Sequence, residues 1–398
     1  MTQLSAIGRA DVDTTIAPNI TFFKSVYKKH TNFAMEPKRA DFQGSTGYDR
    51  RNTNKLPRQG DLIAKMYWYV KLAKLDNGDG RARFAEDVGR LLCNEATIEI
   101  GSVIIDRLYP EQMHMWEELT TDRERQLGKL TGKSQSVAQL AEWAKYTQHM
   151  YIPMPFWFHC DYGSALPTIS THLTDIQVNI KTPPKSQCIV GMTPDYVTSA
   201  ADGEFLETYL LLETVYLDDA ERRFLVETEL KYIINQTQYL GLTTISMGSK
   251  QAKIDVRFNQ PCKYVMFAGR ADSNTAKNSW FDFTGPEQGE FAGELFSRAV
   301  IKLNGNNRFD PQLPFYLRQI QACQHNTRIP EKHIYAYNFA LFPEMEQASG
   351  SINFSRIDNT RLELEFSNPL PEGYSIFIFT RSINVITISN GVAQLRFS

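Results

Sequence analysis

The chain has 398 residues, 42% hydrophobic and 12% aromatic, and its 43 Lys plus Arg stand against 45 Asp plus Glu, a net charge of −2. That length and apolar share can fill more than one core, and the charge balance excludes a global basic footprint for nucleic acid. Five scattered cysteines (Cys93, Cys160, Cys188, Cys262, Cys323) without a C-x-x-C pair argue against a disulfide scaffold or a zinc site, and no run of about 18 apolar residues is present to span a membrane.

Residues 1–19 are polar, read as irregular, and lack an apolar run of signal-peptide length. Ile20–Pro37 mixes Phe22, Phe23, Val26, Tyr27 and Phe33 with Lys24, Lys28, Lys29 and His30, and its near-helical apolar spacing predicts a short amphipathic segment. Such a segment either packs on the core as a first helix or serves as an arm that contacts a neighbouring subunit or a negatively charged surface. In Leu62–Leu72, Leu62, Ala64, Met66, Trp68, Val70 and Leu72 alternate onto one face of a strand, with Lys65 and Lys71 on the other. Asp76–Gly80 then reads as a turn, since Gly78 occupies a ligand position of any calcium loop and no Glu follows at the right distance.

Ala96–Asp106 (ATIEIGSVIID) and Ala299–Asp310 (AVIKLNGNNRFD) are versions of one unit: an alternating strand, a tight turn and a return strand. Gly101-Ser102 suits a turn with positive φ at the first central residue, and Asn304-Gly305 one with positive φ at both. A second pair, Ile176–Ile180 and Leu362–Phe366, keeps the same order but is offset by 186 residues (362 − 176) against 203 (299 − 96). A tandem repeat whose first copy carries an insertion explains both offsets. The insertion is legible as Pro110–Leu119 and Ser136–Met150, where the period becomes helical. Between them Gly128–Ser134 is one residue short of a phosphate loop and follows a charged run, so a turn between helices is expected.

Tyr151–Phe158 reads as an edge strand because of Pro153 and Pro155. His159, Cys160 and Asp161 adjoin in sequence, but neighbours on an extended chain point apart and cannot form a nucleophile–base relay. The other histidines show no paired metal-ligand spacing. Residues 181–204 read as a long loop, Tyr209–Leu217 as a strand and Asp218–Glu227 as a charged linker helix with acids at its start. The second half is nearly free of helix signals. Its strand candidates are Leu230–Tyr239, Ala252–Phe258, Tyr264–Phe267, Leu295–Leu303, Ile334–Phe342, Arg361–Phe366, Tyr374–Phe379 and Asn384–Ile388, the last turning at Asn390-Gly391. That count is one jelly roll, and the first half supplies a similar set plus helices. The N-x-S/T triplets at Asn19, Asn235 and Asn353 are expected to be chance.

Eight stretches resemble the major capsid proteins of large icosahedral nucleocytoplasmic DNA viruses: NITFFKSVYKKHTNFAMEP from Asn19, PRQGDLI at 57–63, ATIEIGSVIIDRLY at 96–109, YIPMPFWF with SALPTISTHLTDIQV at 151–178, VYLDDAERRFLVETELKYIINQTQYLG at 215–241, FNQPCKYVMF at 258–267, IKLNGNNRFD at 301–310 and SGSINFSRIDNTRLEL at 349–364. The resemblance implies an all-β fold of two tandem eight-stranded jelly-roll sandwiches, a double jelly roll, with a few short helices mainly in the first. It divides the chain into an N-terminal arm (1–24), a first jelly roll (25–217), a linker helix (218–228) and a second jelly roll (229–398). It further implies a non-enzymatic homotrimer forming a pseudo-hexagonal capsomer that tiles the virion shell, assembled in the host cytoplasm, with no catalytic, cofactor or metal site. The implied partners are other copies, neighbouring capsomers, minor capsid proteins and an internal membrane, with no direct nucleic acid binding. Phe22, Phe23, Lys24, Tyr27, Lys28 and Lys29 are the candidate inner-face contacts. The modest insert between Arg270 and Phe296 argues against large outward towers. The alternatives are a transient double jelly-roll scaffold that shapes the viral membrane, and an enzyme or carbohydrate-binding jelly roll, which would need a convergent acidic pair, metal set or aromatic platform that the sequence does not display.

Overall fold

The computed structural model describes residues 2–75, 82–122, 128–133, 136–191, 202–287 and 290–397. The chain divides into two units, Met1–Phe33 and Ala34–Ser398. The first contains short helical turns at Thr2–Ser5, Arg9–Asp11 and Val12–Thr15, where an irregular chain was expected, and it forms no helix over 20–32. A helix of that length has marginal stability without a surface to bury its apolar face, and Phe22, Phe23, Val26 and Tyr27 are all exposed.

The second unit holds two sandwiches of eight principal strands each. In the first, strands β1 (Phe33–Asp41), β2 (Arg51–Lys55), β3 (Leu62–Leu72), β4 (Glu95–Ile100), β5 (Val103–Leu108), β6 (Gln148–Pro153), β7 (Ile176–Lys181) and β8 (Phe205–Leu217) form sheets in the orders β1-β8-β3-β6 and β2-β7-β4-β5. In the second, β9 (Leu230–Tyr239), β10 (Gln251–Asp255), β11 (Pro261–Ala271), β12 (Arg298–Leu303), β13 (Asn306–Asn307), β14 (Tyr335–Asn338), β15 (Thr360–Glu365) and β16 (Tyr374–Ser389) repeat the pattern as β9-β16-β11-β14 and β10-β15-β12-β13. Both are jelly rolls, and the repeated segments fall on equivalent strands: β4-β5 and β12-β13 are the two hairpins, β7 and β15 the second pair.

Turn chemistry explains the hairpins. Asn304 and Gly305, at φ 48° and 83°, join β12 to β13, and Asn390 and Gly391, at 50° and 79°, lead β16 into Val392–Leu395. Gly101 and Ser102, at 57° and 69°, are both left-handed, so this turn also needs positive φ at both central positions and not at Gly101 alone. The right-handed strand twist favours that geometry enough to hold a serine in it.

Among the described residues the helices include α1 (Val88–Leu92), α2 (Pro110–Thr120), α3 (Val137–Ala144), α4 (Asp219–Glu227) and α5 (Gln321–His325), with other short helical segments elsewhere. Pro110 at the first turn of α2 starts that helix without losing a hydrogen bond. The helical pattern expected over Ser136–Met150 stops at Ala144, because Gln148 onward pairs with β3 as an edge strand, Val70 opposite Met150. Tyr151–Pro153 continues that edge, while Trp157–Cys160 turns helical. The strand candidates Tyr374–Phe379 and Asn384–Ile388 are one sixteen-residue strand, and the second half contains a helical pair, Tyr316–Ile320 and α5, that its composition did not announce. The turn expected at Asp76–Gly80 lies outside the described residues, as do 192–201 of the expected long loop.

In the second roll's β9-β16-β11-β14 sheet, β11 from Cys262 on, β14 and the first nine residues of β16 are buried on both faces. Val265, Phe267, Tyr335, Ile376 and Ile378 point into its own sandwich. Tyr264, Met266, Ala268, Ala336, Phe377 and Phe379 point the other way, into a core continuous with that of the first roll. Helix α2 sits at this joint. Trp116 stacks on Tyr264 at 5.2 Å and 13°, and Tyr109 meets Tyr239 at 5.0 Å. Nine of the eleven residues of α2 are buried, Trp116 among them. Truncating Trp116 to Ala should therefore cost about 3–5 kcal/mol, read as a lower midpoint in denaturant unfolding, whereas an exposed control such as Phe224→Ala should leave it almost unchanged.

Candidate functional site

Phe22, Phe23, Lys24, Tyr27, Lys28 and Lys29 all lie in the Met1–Phe33 unit and all are exposed. They occupy a turn at Phe22–Lys24 and the irregular chain after it, so no helix face gathers them.

The side chains that might have carried chemistry are committed to structure. His159 accepts the Met66 backbone N–H through Nδ1 at 3.3 Å, and burial lowers its pKa to about 4; Cys160 faces Arg381, and Asp161 is exposed. Lys133, in the stretch that imitates a phosphate loop, is ion-paired to Glu117 and Glu118; Ser134 lies outside the described residues. A cleft of about 460 Å³ collects Asp282, Glu294 and Glu372. Glu294, however, is held by Arg318 at 2.5 Å and by the Tyr335 hydroxyl at 2.7 Å, and Glu372 accepts from the Ser273 N–H and hydroxyl. Among the described residues no three His, Cys, Asp or Glu side chains are placed to hold a metal ion, and no helix is long and apolar enough to cross a membrane. Asn235 is buried and donates to Glu346 at 2.6 Å, which removes that sequon from the accessible surface.

Polar groups instead converge on the joint between the rolls, and sequence reasoning did not find them. Asp87 Oδ2 accepts from Arg90 Nη1 at 2.6 Å and His114 Nδ1 at 2.7 Å, and Arg90 Nη2 reaches Glu117 at 2.7 Å. Glu118 pairs with Lys133 and, at 3.5 Å, with Arg328 of the second roll. Three carboxylates thus face three cations, the arrangement that makes buried charge tolerable. Burial holds His114 neutral, with a pKa near 3. Further bonds cross the joint: Arg270 to Glu111 at 3.3 Å, Lys332 to Glu86 at 2.8 Å, the Trp280 indole to the Gln187 carbonyl at 2.8 Å, and the Arg328 N–H to the Leu119 carbonyl at 3.0 Å. Arg381 donates to the Pro155 carbonyl and lies 5.4 Å over the Trp116 ring. The signals available in sequence were isolated: an Arg in the apolar run of β16 and a double Glu after Trp116.

The two tandem jelly rolls define a double jelly-roll protein. The family model described as the major capsid protein N-terminus matches residues 21–218, and that of the large eukaryotic DNA virus major capsid protein matches residues 221–394. The chain is 30% identical over 424 residues to the major capsid protein of Pyramimonas orientalis virus, covering 100% of this chain and 98% of that one. It is 26% identical over 515 residues to that of Phaeocystis pouchetii virus, covering 100% and 99%. A chain of the PBCV-1 virus capsid superimposes with a TM-score of 0.81 at 23% identity, over 95% of this chain and 100% of that chain. The chain belongs to the family of major capsid proteins of large eukaryotic DNA viruses, and its place is the virion capsid shell.

Asp106, on β5, tests the joint. Its Oδ1 accepts from the Arg107 and Thr237 N–H groups, both at 2.8 Å, while Oδ2 is buried with no partner among the described residues. Burial pushes its pKa up to about 7, against the pull of Arg381 and the two N–H groups. A carboxyl whose folded pKa is raised binds its proton more tightly in the folded state, so it costs stability above pH 7 and nothing below pH 4. Asp106→Asn keeps the acceptor and removes the charge. It should raise the melting temperature by a few degrees at pH 8, and the gain should vanish as the pH falls to about 4.

Proposed function

We propose that three copies of this capsid protein associate into a pseudo-hexagonal capsomer that tiles an icosahedral shell. The observation that carries this reading is the repeat of one strand order in two rolls packed side by side, since two similar walls per chain taken three times give six. The division into arm (1–24), first roll (25–217), linker helix (218–228) and second roll (229–398) belongs to the same reading. Strands β8 and β9 flank α4, whose Asp218 cap accepts the Asp219 N–H. The sheets β2-β7-β4-β5 and β10-β15-β12-β13 carry paired charges on their outer faces, such as Arg51 with Glu99 at 2.9 Å and Lys302 with Glu363 at 2.8 Å. Such surfaces suit contact with solvent and with neighbouring capsomers. The role is mechanical, without catalysis.

The arm and the residues that follow it as far as Lys29 are the segment offered to the inner side of the shell, towards minor capsid proteins and an internal membrane. Lys24, Lys28 and Lys29 supply cationic contacts there and Phe22, Phe23 and Tyr27 the apolar ones. Nucleic acid is not a direct partner.

Light scattering after size-exclusion chromatography should give about 137 kDa, three times the 45.6 kDa chain; a monomer at every concentration would refute the trimer. The triple variant Lys24→Glu, Lys28→Glu, Lys29→Glu should keep that mass and lose co-flotation with anionic vesicles. Equal flotation of variant and parent would remove the arm from the membrane contact.

A further inference from the structure

The joint inside the chain has two halves, each with an unfilled counterpart elsewhere in the same molecule. One half is the outer face of β9-β16-β11-β14, and the other is α2, the segment between β5 and β6. In the first roll the corresponding face belongs to β1-β8-β3-β6. Its cross-strand row is Tyr209, Tyr69 and Tyr151, paired directly across β8, β3 and β6. Tyr69 stacks on Tyr209 at 4.5 Å and meets Tyr151 at 4.9 Å, and Arg39 lies 4.2 Å over Tyr209. The next row adds Leu211 and Tyr67. Tyr67, Tyr151, Tyr209 and Leu211 remain half-buried, whereas in the second roll the corresponding row, Phe379, Met266 and Ala336, is buried.

The unmatched counterpart of α2 is the segment between β13 and β14, with the helical pair Tyr316–Ile320 and α5. It buries Leu317, Gln321 and Ala322 but exposes Leu313 (44%), Phe315 (40%) and Ile320 (46%), with Cys323 exposed beside them. Of its eleven residues α2 buries nine because it lies between two rolls, so this segment is a joint piece with one side missing.

We infer that the β13–β14 segment of one copy docks on the tyrosine face of the first roll of the next copy, repeating between chains the joint that α2 makes within one. The occupant is a second copy of this chain, because the chain itself carries both unmatched halves. The contact is head-to-tail, and it closes into a ring under the trimer reading, on which this inference rests. Tyrosine suits a face that is wet before assembly and covered afterwards, since its ring packs while its hydroxyl exchanges water for a hydrogen-bond partner.

The test uses the full chain. Cysteine is introduced singly at Tyr151, Tyr209 and Leu211 in a Cys160→Ser background, and the protein is oxidised mildly at a concentration where its mass is measured. At least one position should form a disulfide with Cys323, giving species of up to three chains on a non-reducing gel that disappear with Cys323→Ser. In parallel, Ile320→Asp, at an exposed position, should reduce the solution mass from three chains to one while the chain stays folded, its circular dichroism unchanged and any fall in melting temperature being that of lost association. A trimeric parent with no cross-link at any position and a trimeric Ile320→Asp would overturn the assignment while leaving the trimer intact. A monomeric parent would overturn the trimer reading itself.

Discussion

The structure depends on one sheet having two insides. In an isolated β-sandwich each sheet shows one face to its partner and one to water, and its strands alternate accordingly. The β9-β16-β11-β14 sheet has no water side over most of its length, because the first roll and α2 occupy it. This explains why β11 runs through Tyr264, Val265, Met266, Phe267 and Ala268 without a polar break, and why the first nine residues of β16 are all buried. Continuous burial of this kind is usual for parallel sheets covered by helices; here an antiparallel sheet reaches it by using a second sandwich as the cover.

Charge then gives the apolar joint its register. Hydrophobic contact alone would tolerate sliding of one roll over the other, since burial is roughly indifferent to direction. Charged groups at the joint have named partners: Asp87 with Arg90 and His114, Glu118 with Lys133 and Arg328. A slide of one roll over the other would break the ion pairs that cross the joint, Arg328 with Glu118, Arg270 with Glu111 and Lys332 with Glu86, and a buried charge left without its partner costs several kcal/mol. These pairs add little net stability against an apolar replacement of the same volume, but they penalise every misaligned packing. Arg381 under Trp116 has the same effect at the opposite end of α2's contact.

The duplication was legible because hairpins advertise themselves locally: an alternating strand meets Gly-Ser or Asn-Gly and alternates again, and both copies fall on equivalent strands. The strand β3 and helix α2 were legible for the same reason, each having a pattern that matches its period. Legibility failed where the partner of a residue lies far off in sequence. Arg381 and Ser382 look like a break between two strands, yet both are interior to β16 because Arg381 finds Pro155 and Trp116 in the other roll. The helix expected through Met150 ended early because pairing with Val70 and its neighbours outweighed local propensity. On β3 the alternation of Leu62, Met66 and Trp68 drew notice, while the opposite row, Tyr67 and Tyr69, passed as surface. The arm's near-helical spacing described a possibility that no neighbouring surface in its unit realises.

Helix α4 is only nine residues long, yet it changes the cost of assembly. Were the two rolls separate molecules, a six-walled ring would immobilise six free bodies, each losing translational and rotational freedom. With the second roll tethered a few residues from the first, its docking is intramolecular and proceeds at an effective concentration set by the linker, of millimolar order for a short tether. Under the proposed three-chain ring, half of the joints would already be formed when the chain folds, and only the remaining half would respond to protein concentration. A shell built that way would polymerise with the concentration dependence of a trimer while presenting the wall count of a hexamer.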